Sequence, residues 1–281
     1  MQTLILAAPG LTAGLLWGFA SCMYKKIRLG YAQLNWWRLL AASLTALIAG
    51  LTCNPTITYT LTWAALSGFL SLGLGDTLYI LSLKIAGVAI AVPIAFSYIA
   101  ITQALSGLVG EKFTLGKTTG AIIALTGIAV LYIGAHRIEK KREVVQGALL
   151  AVATSLLWTA GNVALKYAQG APLMLIVATR ALAGLATITA IAKLKRVQLQ
   201  TRDYSELTKL IIISIADLVL GVLLFVYSIQ TVGLTLTVIL VAPSPAIAQI
   251  LAATLLKEKL RPQYIAGSIL TITGAITATI M

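Results

Sequence analysis

The chain has 281 residues, of which 59% are apolar and only 10% charged, against roughly a quarter charged in an ordinary soluble domain. So few polar side chains cannot clothe a soluble fold of this size, which excludes a water-soluble enzyme or binding module. The net charge of +13 does not indicate nucleic acid either, because the basic residues stand in short clusters between apolar blocks, not along an amphipathic face or among interleaved aromatics.

The blocks run for about 20 residues, the length an α-helix needs to cross ~30 Å of hydrocarbon. In chain order they are predicted at 3–24, 31–51, 62–82, 87–109, 116–134, 145–166, 172–192, 208–231, 234–256 and 262–280. The fold class is therefore an all-α integral membrane protein with ten transmembrane helices. The first block has no basic residues before it and Lys25, Lys26 and Arg28 after it, so it reads as a retained span and not a signal peptide. It carries Gly10, Gly14 and Gly18 four residues apart, a small-residue stripe that suits close helix packing. Trp17, Ser21 and Tyr24 lie in the same block. Cys22 and Cys53 have neither metal-ligand nor disulfide-framework spacing and read as packing residues. The second block holds Arg38 and the third Asp76 and Tyr79, while Trp36, Trp37 and Trp63, near block ends, suit interfacial anchors.

Block four is interrupted by Pro93 and followed by Ser97, Tyr98, Thr102 and Gln103. A charged stretch, His136 to Glu143, separates blocks five and six. Block six carries Trp158, Asn162 and Lys166, block seven Arg180, block eight Asp217, and block nine Pro243, Ser244, Pro245 and Gln249.

The two halves of the chain look alike. Leu15-Leu16-Trp17 recurs as Leu156-Leu157-Trp158, Lys25 as Lys166 and Arg38 as Arg180. Gly75 and Gly87 answer to Gly221 and Gly233, and Glu111, Gly120 and Gly127 to Glu258, Gly267 and Gly274. The expected organisation is a first five-helix unit at 1–135, a charged linker at 136–144 and a second unit at 145–281. An odd number of spans per unit inserts the second copy upside down, an arrangement used by many secondary transporters. The glycines spaced by seven read as packing seams between helices, or between subunits of a homodimer. Lysine and arginine collect at 25–28, 84, 137–142, 193–209 and 257–261, while the opposite side has only Lys112, Lys117 and Lys166. The positive-inside rule places the rich side in the cytoplasm and both termini outside.

Gly110-Glu111-Lys112-Phe113-Thr114 with Gly120 and Gly127, and Glu258-Lys259-Leu260 with Gly267 and Gly274, resemble the end of the EamA repeat of the drug/metabolite transporter superfamily. Trp17-Gly18, the arginines Arg38 and Arg180, and the stretch from Gly75 to Gly87 are similar to that repeat too. The resemblance covers essentially the whole chain. It implies a ten-helix carrier with a central cavity lined chiefly by the first, third and fourth helices of each unit. It also implies cytoplasmic termini, opposite to the charge count, and fixes no substrate, since members move amino acids, nucleotide sugars, sugar phosphates or drug-like compounds.

Broken helices in corresponding spans point to a transporter's binding site, and mid-span tryptophans offer π-faces to a ligand. The candidate substrate-binding residues are Trp17, Ser21, Arg38, Asp76, Tyr79, Pro93, Ser97, Tyr98, Gln103, Trp158, Asn162, Arg180, Asp217, Ser244 and Gln249. Packing alone would also account for the prolines and their polar neighbours. Arg38 and Asp76 come out level, about 10 and 12 Å from the basic side at 1.5 Å per residue, and are expected to pair unless Arg38 snorkels to the surface. An Arg180–Asp217 pair is not expected, because their depths differ.

The single histidine and the lack of a Walker-type loop argue against catalysis and ATP-driven transport; no cofactor or metal is expected. The reading is a secondary transporter of a small organic metabolite, with a coupling proton or counter-substrate and the lipid bilayer as partners. A passive channel and a non-transporting scaffold are the alternatives. The arginines suit an anionic substrate, the aspartates an amine or a proton, and an amino acid would satisfy both.

Overall fold

The computed structural model describes residues 2–52, 58–112, 114–135, 141–257 and 262–280, and every regular element among them is helical. In chain order these are α1 (Gln2–Lys26), α2 (Tyr31–Thr52), α3 (Leu61–Ser67), a π-helical segment π1 (Gly68–Gly75), α4 (Asp76–Ala86), α5 (Val88–Ala95), α6 (Tyr98–Ala104) and α7 (Leu115–Ala135). The second half of the chain adds α8 (Lys141–Lys166), α9 (Leu173–Leu194), α10 (Tyr204–Ser214), π2 (Ile215–Gly221), α11 (Val222–Val232), α12 (Leu234–Leu240), α13 (Ser244–Leu255) and α14 (Pro262–Ile280). Cys53, His136 and Glu258 lie outside the described residues, whereas Lys141 to Val144, expected in the linker, already belong to α8.

Helices satisfy their backbone groups internally, as hydrocarbon requires. Seven helical stretches among the described residues are long and apolar enough to cross a membrane, and Val88–Ala104 and Leu115–Val130 are shorter apolar helices. The protein is a multi-pass membrane protein. Its outer faces carry exposed Ile48, Leu149, Ile212 and Ile276, side chains that would promote aggregation in water but suit lipid. The fourth predicted block is shorter as helix than expected. Turns take over at 105–110, and the chain is interrupted at Phe96 and Ser97.

That interruption stems from Pro93, whose missing N–H weakens the ladder. Ser97 and Ala100 donate instead to carbonyls three residues back, Ile94 at 3.1 Å and Ser97 at 2.9 Å. The ninth block breaks at the corresponding place: Ala242 and Ser244 donate to Ile239 and Val241, each at 3.0 Å. Both broken stretches start from a glycine with a backbone angle that other residues resist, Gly87 at φ +82° and Gly233 at φ +88°.

Small residues let elements of the two halves meet across the bundle. α2 packs against α9, α1 against α13, α4 against α8 and α7 against α14. A Cβ on Gly120 would stand 2.6 Å from the Gly274 carbonyl oxygen, so these two of the seven-spaced glycines form a seam inside one chain. The stripe on α1 meets the second break: Cβ atoms on Gly14 and Gly18 would lie 3.0 Å from Val241 Cα and 2.7 Å from the Ser244 carbonyl oxygen. One end of the bundle gathers the basic loops, where Lys25 donates to the Lys84 carbonyl at 3.0 Å and the Arg28 N–H to Glu206 at 2.9 Å.

Candidate functional site

A cavity of about 70 Å³ lies in the middle of the bundle, walled by α1, α2, π1, α4, α8, α9, π2, the first residues of α6 and α11, and the turn between α5 and α6. Its charged centre is Arg38, 4% exposed on α2. Arg38 Nη1 donates to Asp76 Oδ2 at 3.0 Å and to Asn35 Oδ1 at 3.1 Å, while Nη2 donates to Asp217 Oδ2 at 2.8 Å. One guanidinium thus holds a carboxylate from each half. The Tyr24 hydroxyl donates to the same Asp217 oxygen at 2.5 Å, and its ring lies 4.7 Å from the Arg38 Cζ. Asn35 is itself fixed, donating to Thr77 Oγ1 at 2.9 Å and the Leu72 carbonyl at 3.1 Å.

The two tryptophans occupy corresponding positions. Trp158 donates from Nε1 to Asp76 Oδ1 at 2.8 Å and packs on Tyr79, 4.9 Å between ring centroids. Trp17 donates from Nε1 to the Asp217 carbonyl at 3.4 Å and packs on Phe225, also at 4.9 Å. Beneath the rings, Cβ atoms on Gly75 and Gly221 would each stand 2.9 Å from the indole, Trp158 and Trp17 respectively. Phe96 and Tyr98 complete an aromatic wall, each with its ring edge-on to Trp158 at 5.8 Å. The Ser21 and Tyr79 hydroxyls are 2.7 Å apart.

The cavity brings together ten of the fifteen residues singled out from sequence: Trp17, Ser21, Arg38, Asp76, Tyr79, Tyr98, Trp158, Asn162, Arg180 and Asp217. The other five do not line it. Pro93 is buried in α5, where it shapes the break. Ser97 Oγ lies 3.1 Å from Ser155 Oγ, and Ser244 Oγ donates to the Gly14 carbonyl at 2.5 Å, so both tie a break to the neighbouring helix. Gln103 donates to the Thr235 carbonyl at 2.7 Å. Gln249 is 1% exposed and its side-chain amide has no hydrogen-bond partner among the described residues. Ser97, Gln103 and Ser244 therefore fasten the breaks, whereas Gln249 does not.

Residues 3–133 and 145–280 both match the EamA-like transporter family. The chain belongs to that family. A protein of Archaeoglobus fulgidus (strain ATCC 49558) described as an uncharacterized transporter is 25% identical over 264 residues, 92% of this chain and 91% of its own. A solved crystal structure with a TM-score of 0.80 and 21% identity, covering 98% of both chains, has the same fold. The protein is thus a membrane transporter of the drug/metabolite type.

Some cavity residues of this EamA-like transporter escaped the sequence reading. Tyr24 comes after Trp17 and Ser21 at helical spacing, i, i+4 and i+7, so its place on the same face was legible. Ser71 and Phe96 were not, because one lies in a π segment and the other in a break. Lys166, at the far end of α8, is outside the cavity. It donates to the Val109 carbonyl and, at 2.9 Å, to Glu111 Oε1. Glu111 also accepts the Leu234 N–H at 2.7 Å, the Thr235 N–H at 2.9 Å and the Thr235 hydroxyl, and so caps α12 across the two halves. Partial burial works against this charge, but the Thr235 and Lys166 donors and the two backbone N–H groups outweigh it and bring the carboxyl down to about 2.

Proposed function

We infer that this EamA-like transporter is a secondary carrier for a small organic metabolite such as an amino acid or sugar phosphate. It works by alternating access between two inverted five-helix units, ten transmembrane helices in all. The observation that carries this reading is the paired construction of the cavity. Trp17 over Gly221 and Phe225 in one direction, and Trp158 over Gly75 and Tyr79 in the other, are the same contact made twice with the halves exchanged. A site built from two equivalent half-sites can face either side of the bilayer when the units exchange roles.

The broken stretches α5–α6 and α12–α13 supply places where the backbone can bend, and Arg38 joins both halves through Asp76 and Asp217. Transport then requires this ionic bridge to loosen and reform, with energy from a gradient or from exchange. A channel is disfavoured because side chains and the charge bridge fill the centre, and among the described residues no ring of like charge lines a path through it.

Counterflow in proteoliposomes tests the reading, after a thermal-shift screen of amino acids, sugar phosphates, nucleotide sugars and aromatic cations has chosen a ligand. Saturable uptake accelerated by substrate on the opposite side is expected. Unsaturable flux, or ionic current without exchange, would overturn the carrier in favour of a pore.

A further inference from the structure

We propose that the substrate of this cavity carries an anionic oxygen group, a carboxylate or a phosphate, and that Arg180 receives it. The proposal rests on the carrier reading above and deepens it.

Arg180 lines the cavity from α9 and is 3% exposed. Its Nε and Nη1 are buried without a hydrogen-bond partner among the described residues, whereas Arg38 leaves only its Nε open and makes both salt bridges of the cavity with its two terminal nitrogens. Asp76 attracts the charge of Arg180 from a distance but accepts none of its protons. A guanidinium cannot shed its charge by deprotonating, so buried donors left open are costly until an acceptor arrives.

Two further groups on the cavity wall are in the same condition. Ser71 Oγ and the Tyr98 hydroxyl are buried and unpartnered, and each can donate a proton. Three of the four carboxylate oxygens are engaged instead, Asp217 Oδ1 having no donor among the described residues. Asp76 takes Trp158 on one oxygen and Arg38 on the other, and Asp217 Oδ2 takes both Arg38 and Tyr24. An ammonium entering the cavity would find one open carboxylate oxygen and would have to compete with these donors for the other three. An oxyanion finds donors that nothing else is using. Sequence alone weighed the arginines against the aspartates and left the charge of the substrate open. The hydrogen bonds separate them, because one arginine is committed to both aspartates and the other keeps open donors.

The test uses purified full-length protein in detergent and four small probes of similar size: acetate, inorganic phosphate, acetamide and methylammonium, at constant ionic strength. Acetate or phosphate is expected to raise the unfolding midpoint, and whichever does so more strongly distinguishes the carboxylate from the phosphate source. Acetamide and methylammonium are expected to do neither. In Arg180→Gln, anion binding should weaken at least about tenfold, the loss of charge-assisted hydrogen bonds. Arg180→Lys should keep part of it, since the charge stays and the planar fork is lost. Without ligand, Arg180→Gln should melt no lower than the parent, because it removes a cation that has no direct partner.

An anion response unchanged in Arg180→Gln would overturn the proposal, as would equal stabilisation by acetamide or methylammonium, or no response to either anion. Lowered stability of Arg180→Gln with the anion response intact would make Arg180 a packing residue. Saturable counterflow of a cationic or neutral compound, indifferent to acetate and phosphate, would refute the anion site and leave the carrier standing. Arg180-dependent anion binding without saturable flux would do the reverse.

Discussion

Arg38 is shared between two carboxylates, and this sharing makes each aspartate the other's reserve. Replacing Asp76 by Asn leaves Arg38 its bond to Asp217, and replacing Asp217 leaves it Asp76. Only the double replacement strands the guanidinium, and an uncompensated buried charge costs about 3–5 kcal/mol. Asp76→Asn with Asp217→Asn is therefore expected to lose more stability than the two single losses combined, by about 0.5–3 kcal/mol. Arg38→Gln added to the double variant should recover part of it. Chemical unfolding of these four variants beside the parent checks this, and strictly additive losses would show that the carboxylates act independently. The contact between Arg38 and Asp76 was legible in the sequence from their equal depth. That between Arg38 and Asp217 was not, because depths were compared only within each half, Arg38 with Asp76 and Arg180 with Asp217, whereas this contact crosses from α2 to π2; Asp217 lies within π2 and Asp76 comes directly after π1. A π segment carries more residues per turn than an α-helix and rotates the residues after it onto another face.

The π segments are the elements that sequence concealed. Nothing in Gly68 to Gly75 distinguishes it from ordinary apolar helix; its geometry is set by neighbours. A Cβ on Gly68 would collide with the Arg180 backbone, and one on Gly161 with the Ser71 hydroxyl. Such close approach between halves depends on residues far apart in the chain, so no local pattern announces it. The prolines and the glycines at Gly87 and Gly233 act locally, and the breaks they cause were readable. At this scale the Glu111 cap yields a pH prediction. Its carboxyl lies below the ordinary glutamate value of 4.5, at about 2. The folded state therefore gains from its ionised form above about 4.5 and loses that gain as pH falls toward 2. Glu111→Gln should cost about 1–2 kcal/mol at neutral pH, the scale of a helix cap. Unfolding curves of the two proteins should converge on acidification through that window. A gap that persists at the acid end would assign the effect to packing instead.

That residues 3–133 and 145–280 both match one family has a counterpart in the sequence, where Trp17 with Trp158 and Gly75 with Gly221 recur in order. How the copies interlock has none, since pairing between distant helices leaves no trace in spacing. The basic loops at 25–28, at Lys84 and near Glu206 meet at one end of the bundle, and Glu111, Lys117 and Lys166 gather at the other. The charge difference between these ends predicts that the first end faces the cytoplasm. With Cys22 and Cys53 replaced, Lys112→Cys should react with an impermeant thiol reagent in intact cells and Lys195→Cys should not. The reverse pattern would place the termini inside, as the wider family is usually described.

The seam between α7 and α14, with the pairing of α2 on α9 and α1 on α13, has a consequence for synthesis. Each partner of these pairs is made long after the other. At about 5–20 residues per second, the first half waits in the bilayer for roughly ten to thirty seconds before the second is complete. Until Trp158 and Asp217 are made, Arg38 and Asp76 have only first-half partners, each other, Asn35 and the Tyr24 ring, and the glycine faces of α1 and α7 lack α13 and α14. A ribosome that stalls midway thus leaves behind a half-molecule whose charged centre lacks Asp217 and Trp158 and whose small-residue faces lack the helices they fit.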